Sequence, residues 1–286
     1  MRTFSRCVAL AVLVGGSAAY ADRNDIELGR LGNPGEFRDG KDGNARFEAF
    51  TRSLAATMTS VNLMPPETLG HAGFSVNVEL GVLGWSSEVQ YPTNTEVTAG
   101  NPLGDTQPLS PVLVPSIHVR KGLPFSVELG GRVGWIDRSS LFAATGEVKW
   151  AVNEGFTWLP DAGVRLHGTR VLGTRDFGVS AVGVDLGVGK QFPLGGMVTL
   201  TPYGGIDFVR VYAQSDTLDF RLDAPRAIGD LADTGIYTPV NALNTRFYGG
   251  ARFIGGVLQL GAELSLTTQG SIPAVFAFNS TIGLDF

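Results

Sequence analysis

This sequence predicts an all-β fold: a transmembrane, up-and-down antiparallel β-barrel of about ten strands (range about eight to twelve), preceded by a short N-terminal helix. Three observations carry that prediction. From Gly73 to Phe286, apolar residues fall at every second position in one segment after another, with few left over to fill a water-soluble core. The links between segments alternate short and long. Aromatic residues gather at the segment ends. The apolar flank then faces lipid and the polar flank the inside of a closed sheet, because a sheet crossing a bilayer leaves no edge unpaired.

The first residues read as a secretory signal. Arg2 and Arg6 precede the apolar run 8–14, and Ala19-Tyr20-Ala21 is a small-residue cleavage site. Residues 1–21 are therefore expected to be removed as a signal peptide, the apolar run being too short for a membrane helix. Cys7 is the sole cysteine and leaves with it, which excludes disulfides, thiol catalysis and cysteine–metal sites from the mature chain. Charged residues make up only 17%, and 22 Lys and Arg stand against 27 Asp and Glu, a balance that argues against nucleic acid as a partner.

Residues 22–72 read as a periplasmic N-terminal segment. Its start, 22–42, is polar and glycine-rich. A helix is predicted over about 44–61, where Phe47, Phe50, Leu54, Met58 and Val61 recur at spacings of three and four and share an apolar face. Asp42 or Asn44 supplies an N-cap, and Pro65-Pro66 forbids continuation. Such a stripe suits packing against the periplasmic mouth of the barrel; a plug within that mouth is the alternative.

The barrel is predicted over 73–286. The first strand, about 73–84, sends Phe74, Val76, Val78, Leu80 and Val82 outward and Glu79 inward. The second, about 111–121, ends at a turn over Gly122-Leu123-Pro124, and the third, 125–136, alternates most cleanly. The others follow at about 141–152, 160–170, 177–191, 197–211, 243–254 and 257–267, with the last ending at Phe286. With the first strand rising from the periplasm, every link on that side is short, and the long links 86–109 and 213–242 lie outside. Interface rings are expected at Trp85, Trp135, Phe177 and Tyr212 on the outer side. Phe125, Trp150, Phe192, Phe253 and Phe286 are their inner counterparts. Trp85 breaks the alternation, which predicts a bulge.

A cleavable signal, amphipathic strands with alternating links, and a terminal Phe286 on an alternating strand together resemble the single-chain outer-membrane β-barrel proteins of Gram-negative bacteria. The resemblance covers about 73–286. It implies an outer-membrane location, surrounding lipid as a partner, and recognition of the terminal strand by the barrel-assembly machinery. This chain departs from the usual assembly signal in carrying Thr281 where glycine is common.

Alternation places Glu79, Arg120, Glu128, Arg132, Glu147, Lys149, Asp161, Arg165, His167, Asp185, Asp207, Arg246, Arg252 and Glu263 in the lumen. Both signs are present, so a neutralised, side-chain-filled interior is expected ahead of a conducting pore, which would show no marked sign preference. His167, with Asp161 and Arg165 on the same face, is the one candidate for acid–base chemistry. No nucleophile-elbow, zinc-protease or phosphate-loop pattern occurs, and the acids of 213–233, with Asp105, lack calcium-loop spacing. No catalytic residue, metal or cofactor is assigned. The expected function is a small pore or a structural scaffold working with other envelope proteins. The alternatives are a lipid- or peptide-directed barrel enzyme, or an adhesin acting through 86–109 and 213–242.

Overall fold

The computed structural model describes residues 23–38, 40–59, 61–93, 106–156, 158–195, 198–220 and 234–286. The leader expected over 1–21, Asp105, and the middle parts of both long links lie outside the described residues.

Ten strands close into an antiparallel barrel. They are β1 (Phe74–Leu83), β2 (Val112–Leu123), β3 (Val127–Trp135), β4 (Phe142–Asn153), β5 (Asp161–Leu172), β6 (Phe177–Gly189), β7 (Val198–Ser215), β8 (Val240–Gly255), β9 (Leu258–Gln269) and β10 (Ile272–Asp285). Each pairs with the next in sequence. β10 returns to β1 with Ser75 opposite Asp285 and Val82 opposite Phe278, and Phe74 and Phe286 extend that seam by exchanging backbone bonds of 2.9 and 2.8 Å.

Period-two alternation explains the wall. Val78, Leu166 and Phe276 stand outward at 56, 54 and 53% exposure, among many others, while their neighbours in sequence are buried. An apolar surface so extensive matches lipid rather than water. Links 124–126 and 256–257 and the described parts of 154–160 and 190–197 lie at one end, and the described parts of 84–111 and 216–239 at the other. The first of these turns falls later than the sequence suggests. Gly122 and Leu123 still pair with Glu128 and Val127, and the reversal is made by Pro124, Phe125 and Ser126, the last two at φ 66° and 57°. Trp85 makes no bulge: the chain leaves the sheet after Leu83.

The N-terminal segment overturns one expectation. The sequence reading set it on the short-link side. Instead its start is bound to the opposite, long-link rim: Asn24 Nδ2 donates to Asp137 O (2.7 Å), Leu109 N donates to Asn24 Oδ1 (2.9 Å), and Ser140 N donates to Asp25 Oδ1 (2.7 Å). From there the chain runs down inside the barrel to β1. The helix α1 (Gly43–Met58) begins where Asp42 Oδ1 accepts from Ala45 N at 2.7 Å. Gly43 lies so close to Asn33 that a Cβ would meet its carbonyl oxygen at 2.2 Å. With its 16 residues, α1 is about 24 Å long. It ends at Met58, so Val61 lies beyond it, half-buried. The apolar face was only part of what is covered: Arg46, Thr51, Arg52, Ser53 and Thr57 are buried as well as Phe47, Phe50, Leu54 and Met58, because wall surrounds the helix.

Candidate functional site

The lumen is filled by this thread and by the inward side chains that grip it. At the long-link mouth, Phe50 packs against Trp85, Tyr91 and Phe177, with ring centroids 6.2, 5.6 and 5.9 Å away, and Phe47 stacks on Tyr237 at 4.7 Å. Trp85 and Phe177 are therefore not interface rings. Phe177 shares the inward parity of Val179 and Ala181, and Trp85 folds over the mouth once the sheet releases it. Phe125, Trp150, Phe192, Phe253 and Phe286 are exposed at the short-link end, with Tyr212 exposed and Trp135 half-buried toward the other.

Residues 31–41 are tied to α1 by Arg46, which donates to the carbonyls of Leu31 (2.5 Å), Lys41 (2.6 Å) and Glu36 (3.0 Å). The Tyr91 and Tyr237 hydroxyls donate to the carbonyls of Asn24 (2.7 Å) and Gly32 (2.6 Å). Burial pushes both phenols above their ordinary pKa.

Below the helix the interior becomes ionic. Glu79, Arg120, Glu128, Arg132, Glu147, Lys149, Asp161, Arg165, His167, Asp185, Asp207, Arg246, Arg252 and Glu263 are all buried. Arg132 pairs with Glu79 at 2.8 Å. His118 bridges Glu79 (3.0 Å) and Glu147 (2.9 Å). Arg165 joins Glu147 (2.7 Å) to Asp185 (3.0 Å). Asp207 takes His167 (3.0 Å) and Arg246 (3.3 Å). Nearer the short-link rim, Glu128 holds Arg120 and Lys149, each at 3.1 Å, and Arg252 pairs with Glu67 of the thread. Asp161 accepts from Gly155 N (2.8 Å) and fastens the β4–β5 link instead of joining this web.

The thread binds the web directly. Arg246 donates to Thr59 Oγ1 (2.6 Å) and Ala56 O (3.2 Å), Leu69 N donates to Glu128 (3.1 Å), and Thr68 N donates to Glu154 (2.9 Å). His167 is fully enclosed at mid-wall, away from either rim, and neither Asp161 nor Arg165 is its ion partner. Sequence reasoning missed His118 as a bridge, the thread-borne Glu67, and the aliphatic inward positions Val179, Val209 and Val211. The last had a signal: apolar residues at both parities near the outer ends of β6 and β7.

A closed barrel with a covalently attached plug is thus the class that fold and lumen define. No family model and no curated protein matches the chain. The solved structures it is similar to are outer-membrane β-barrels. They include LpxR from Salmonella typhimurium (9% identity, covering 74% of this chain and 99% of that one, TM-score 0.37). The translocator domain of autotransporter NalP from Neisseria meningitidis (9%, 82% and 93%, 0.35) and the N-terminal barrel of Pseudomonas aeruginosa OprF (8%, 74% and 97%, 0.30) are others. At such identities and scores no function follows from the likeness.

Proposed function

We propose that this protein is a Gram-negative outer-membrane barrel, sealed by its own N-terminal chain and acting as a non-conducting scaffold that presents its long-link mouth outside the cell. The observation that carries this reading is the thread, held at the outer rim by Asn24 and Asp25, at mid-lumen by Arg246, and at the inner rim by Glu128 and Glu154. Beside the end of α1 the space between thread and wall is a cavity of about 40 Å³, room for water rather than a solute path. The surface offered to envelope partners includes the described parts of residues 23–42 and of the links 84–111 and 216–239. The terminal strand ending at Phe286 is the proposed contact for the barrel-assembly machinery, and lipid the partner of the wall.

Planar-bilayer recording tests the seal. The intact mature protein should stay silent, and a chain lacking residues 22–69 should give discrete conductance steps. Steps from the intact protein overturn the sealed reading. A tag placed ahead of Arg23 should be reached by protease on intact cells; protection of that tag reverses the proposed orientation.

A further inference from the structure

Across the outward-facing positions of all ten strands, the only charged residues are Lys121, Arg170 and Arg210. Lys121 sits at the short-link end, where it donates to Ala72 O at 2.7 Å. The other two lie together near the long-link end, on β5 and β7 with β6 between them. Their places are fixed by register: Arg170 is opposite Ser180, Ser180 is opposite Tyr212, and Tyr212 is opposite Asn241, so these form one polar row across four strands. Arg210 stands one outward position nearer the bilayer centre, opposite Val182 and Leu243.

A guanidinium on a lipid-facing wall is unfavourable unless it reaches an interface or an anion. Each of these spends one donor on a neutral neighbour. Arg170 Nη1 donates to Ser180 Oγ and Arg210 Nε to Asn241 Oδ1, both at 2.6 Å. Neither arginine has an ion partner among the described residues. A cleft of about 750 Å³ opens beside Arg170, lined in part by Arg170, Arg175, Ser180, Tyr212 and Asn241; Arg210 does not line it but stands at its lower edge, one outward position below Tyr212. The Arg170 guanidinium lies over Gly178, where a Cβ would stand 2.7 Å from Nη2. The acids near it are Asp216, which also lines the cleft, and Asp176, whose carbonyl accepts from Asp216 N. Directly below lie the exposed apolar side chains of Leu166, Val182 and Phe208.

We infer that this cleft binds the phosphate-bearing headgroup of an outer-leaflet lipid, with Arg170 and Arg210 meeting the phosphate oxygens and the acyl chains lying on the apolar wall beneath. Forked guanidinium donors suit phosphate oxygens, and an apolar wall immediately under a cationic cleft suits an amphiphile better than a free anion. The inference rests on the membrane placement proposed above.

The test uses the full mature protein in phosphatidylcholine vesicles with or without diphosphoryl lipid A as probe. Flotation is checked first: a wild type that fails to float overturns the membrane placement and this site together. In floating protein, the probe should be retained about tenfold more tightly by wild type than by R170Q/R210Q. G178V, which keeps both charges but displaces Arg170, should weaken retention in the same direction, and K121Q should leave it unchanged. Heat-modifiable gel mobility reports whether each barrel is closed, and G178V decides the matter if the double variant fails to close. Equal retention by wild type and closed variants overturns the site alone. So does full displacement of the probe by equimolar inorganic phosphate, which would mark an anion site without a lipid preference.

Discussion

The two halves of the lumen are built on different chemistry. Toward the long-link mouth three strands turn aliphatic or aromatic residues inward, Val171 on β5, Phe177 and Val179 on β6, Val209 and Val211 on β7, while β8 and β9 add Asn244 and Gln269, which bond Arg52 and Ser53 of α1. Toward the short-link end the same strands turn inward Arg165, Asp185 and Asp207. The thread changes conformation at the same level, from helix to extended chain after Met58. A helix satisfies its own backbone groups, so its surroundings can be apolar and need only fit its shape. An extended chain satisfies none, so its surroundings must supply donors and acceptors. Glu128 and Glu154 accept from Leu69 N and Thr68 N of the extended chain, and Arg246 donates to the Ala56 carbonyl, one of those that the C-terminal turn of α1 leaves unsatisfied. The composition of the wall therefore follows from the backbone conformation of what it encloses.

If that comparison holds, damage to either half should differ in kind. Arg165→Ala leaves Glu147 and Asp185 without their shared partner and should cost about 5 kcal/mol, the upper end for a broken buried pair. Hydrogen exchange should then rise along residues 61–69 while the Trp85 fluorescence of the mouth stays put. Simultaneous loss of both would show that the halves are one cooperative unit. Phe50→Ala removes the ring at the centre of the mouth cluster and should cost about 3 kcal/mol. Here Trp85 fluorescence should shift and the ionic half should keep its protection.

Asp42→Ala removes the helix cap and should cost about 1 kcal/mol, seen as faster exchange of the Ala45 amide. The smallest effect is alkaline. The folded mouth holds the phenol protons of Tyr91 and Tyr237 that an unfolded chain releases near pH 10, so their contribution is complete below about pH 10 and fades as pH rises further. A reversible change in Trp85 emission above that pH should vanish in the Tyr91→Phe/Tyr237→Phe double variant.

The wall was legible because side-chain direction in a strand has a strict period of two. Val127, Leu129 and Val133 against Glu128 and Arg132 leave one arrangement, and ten such segments with short links on one side leave one topology. The charges of the lumen followed from the same parity. What could not be read was where the thread goes. An apolar stripe on α1 is satisfied by any apolar surface, and nothing in Phe47, Phe50 or Leu54 says whether that surface lies beneath a barrel or inside it. The informative residues were on the strands: Val179, Val209 and Val211 are inward apolar positions that a water-filled interior would not hold. Trp85 and Phe177 misled for a related reason, since a ring at a strand end is equally suited to the lipid boundary and to a plugged mouth.

The seam between β1 and β10 bears on how such a molecule is made. A cord lies inside a hoop only if one end is pulled through or the hoop is shut around it. Here the cord is continuous with the first stave of the hoop, and Phe74 is latched to Phe286 at the last. If the hoop is shut around the cord, residues 23–58 must already lie across it when that latch forms; if the cord is pulled through afterwards, it must enter a cylinder that is already latched.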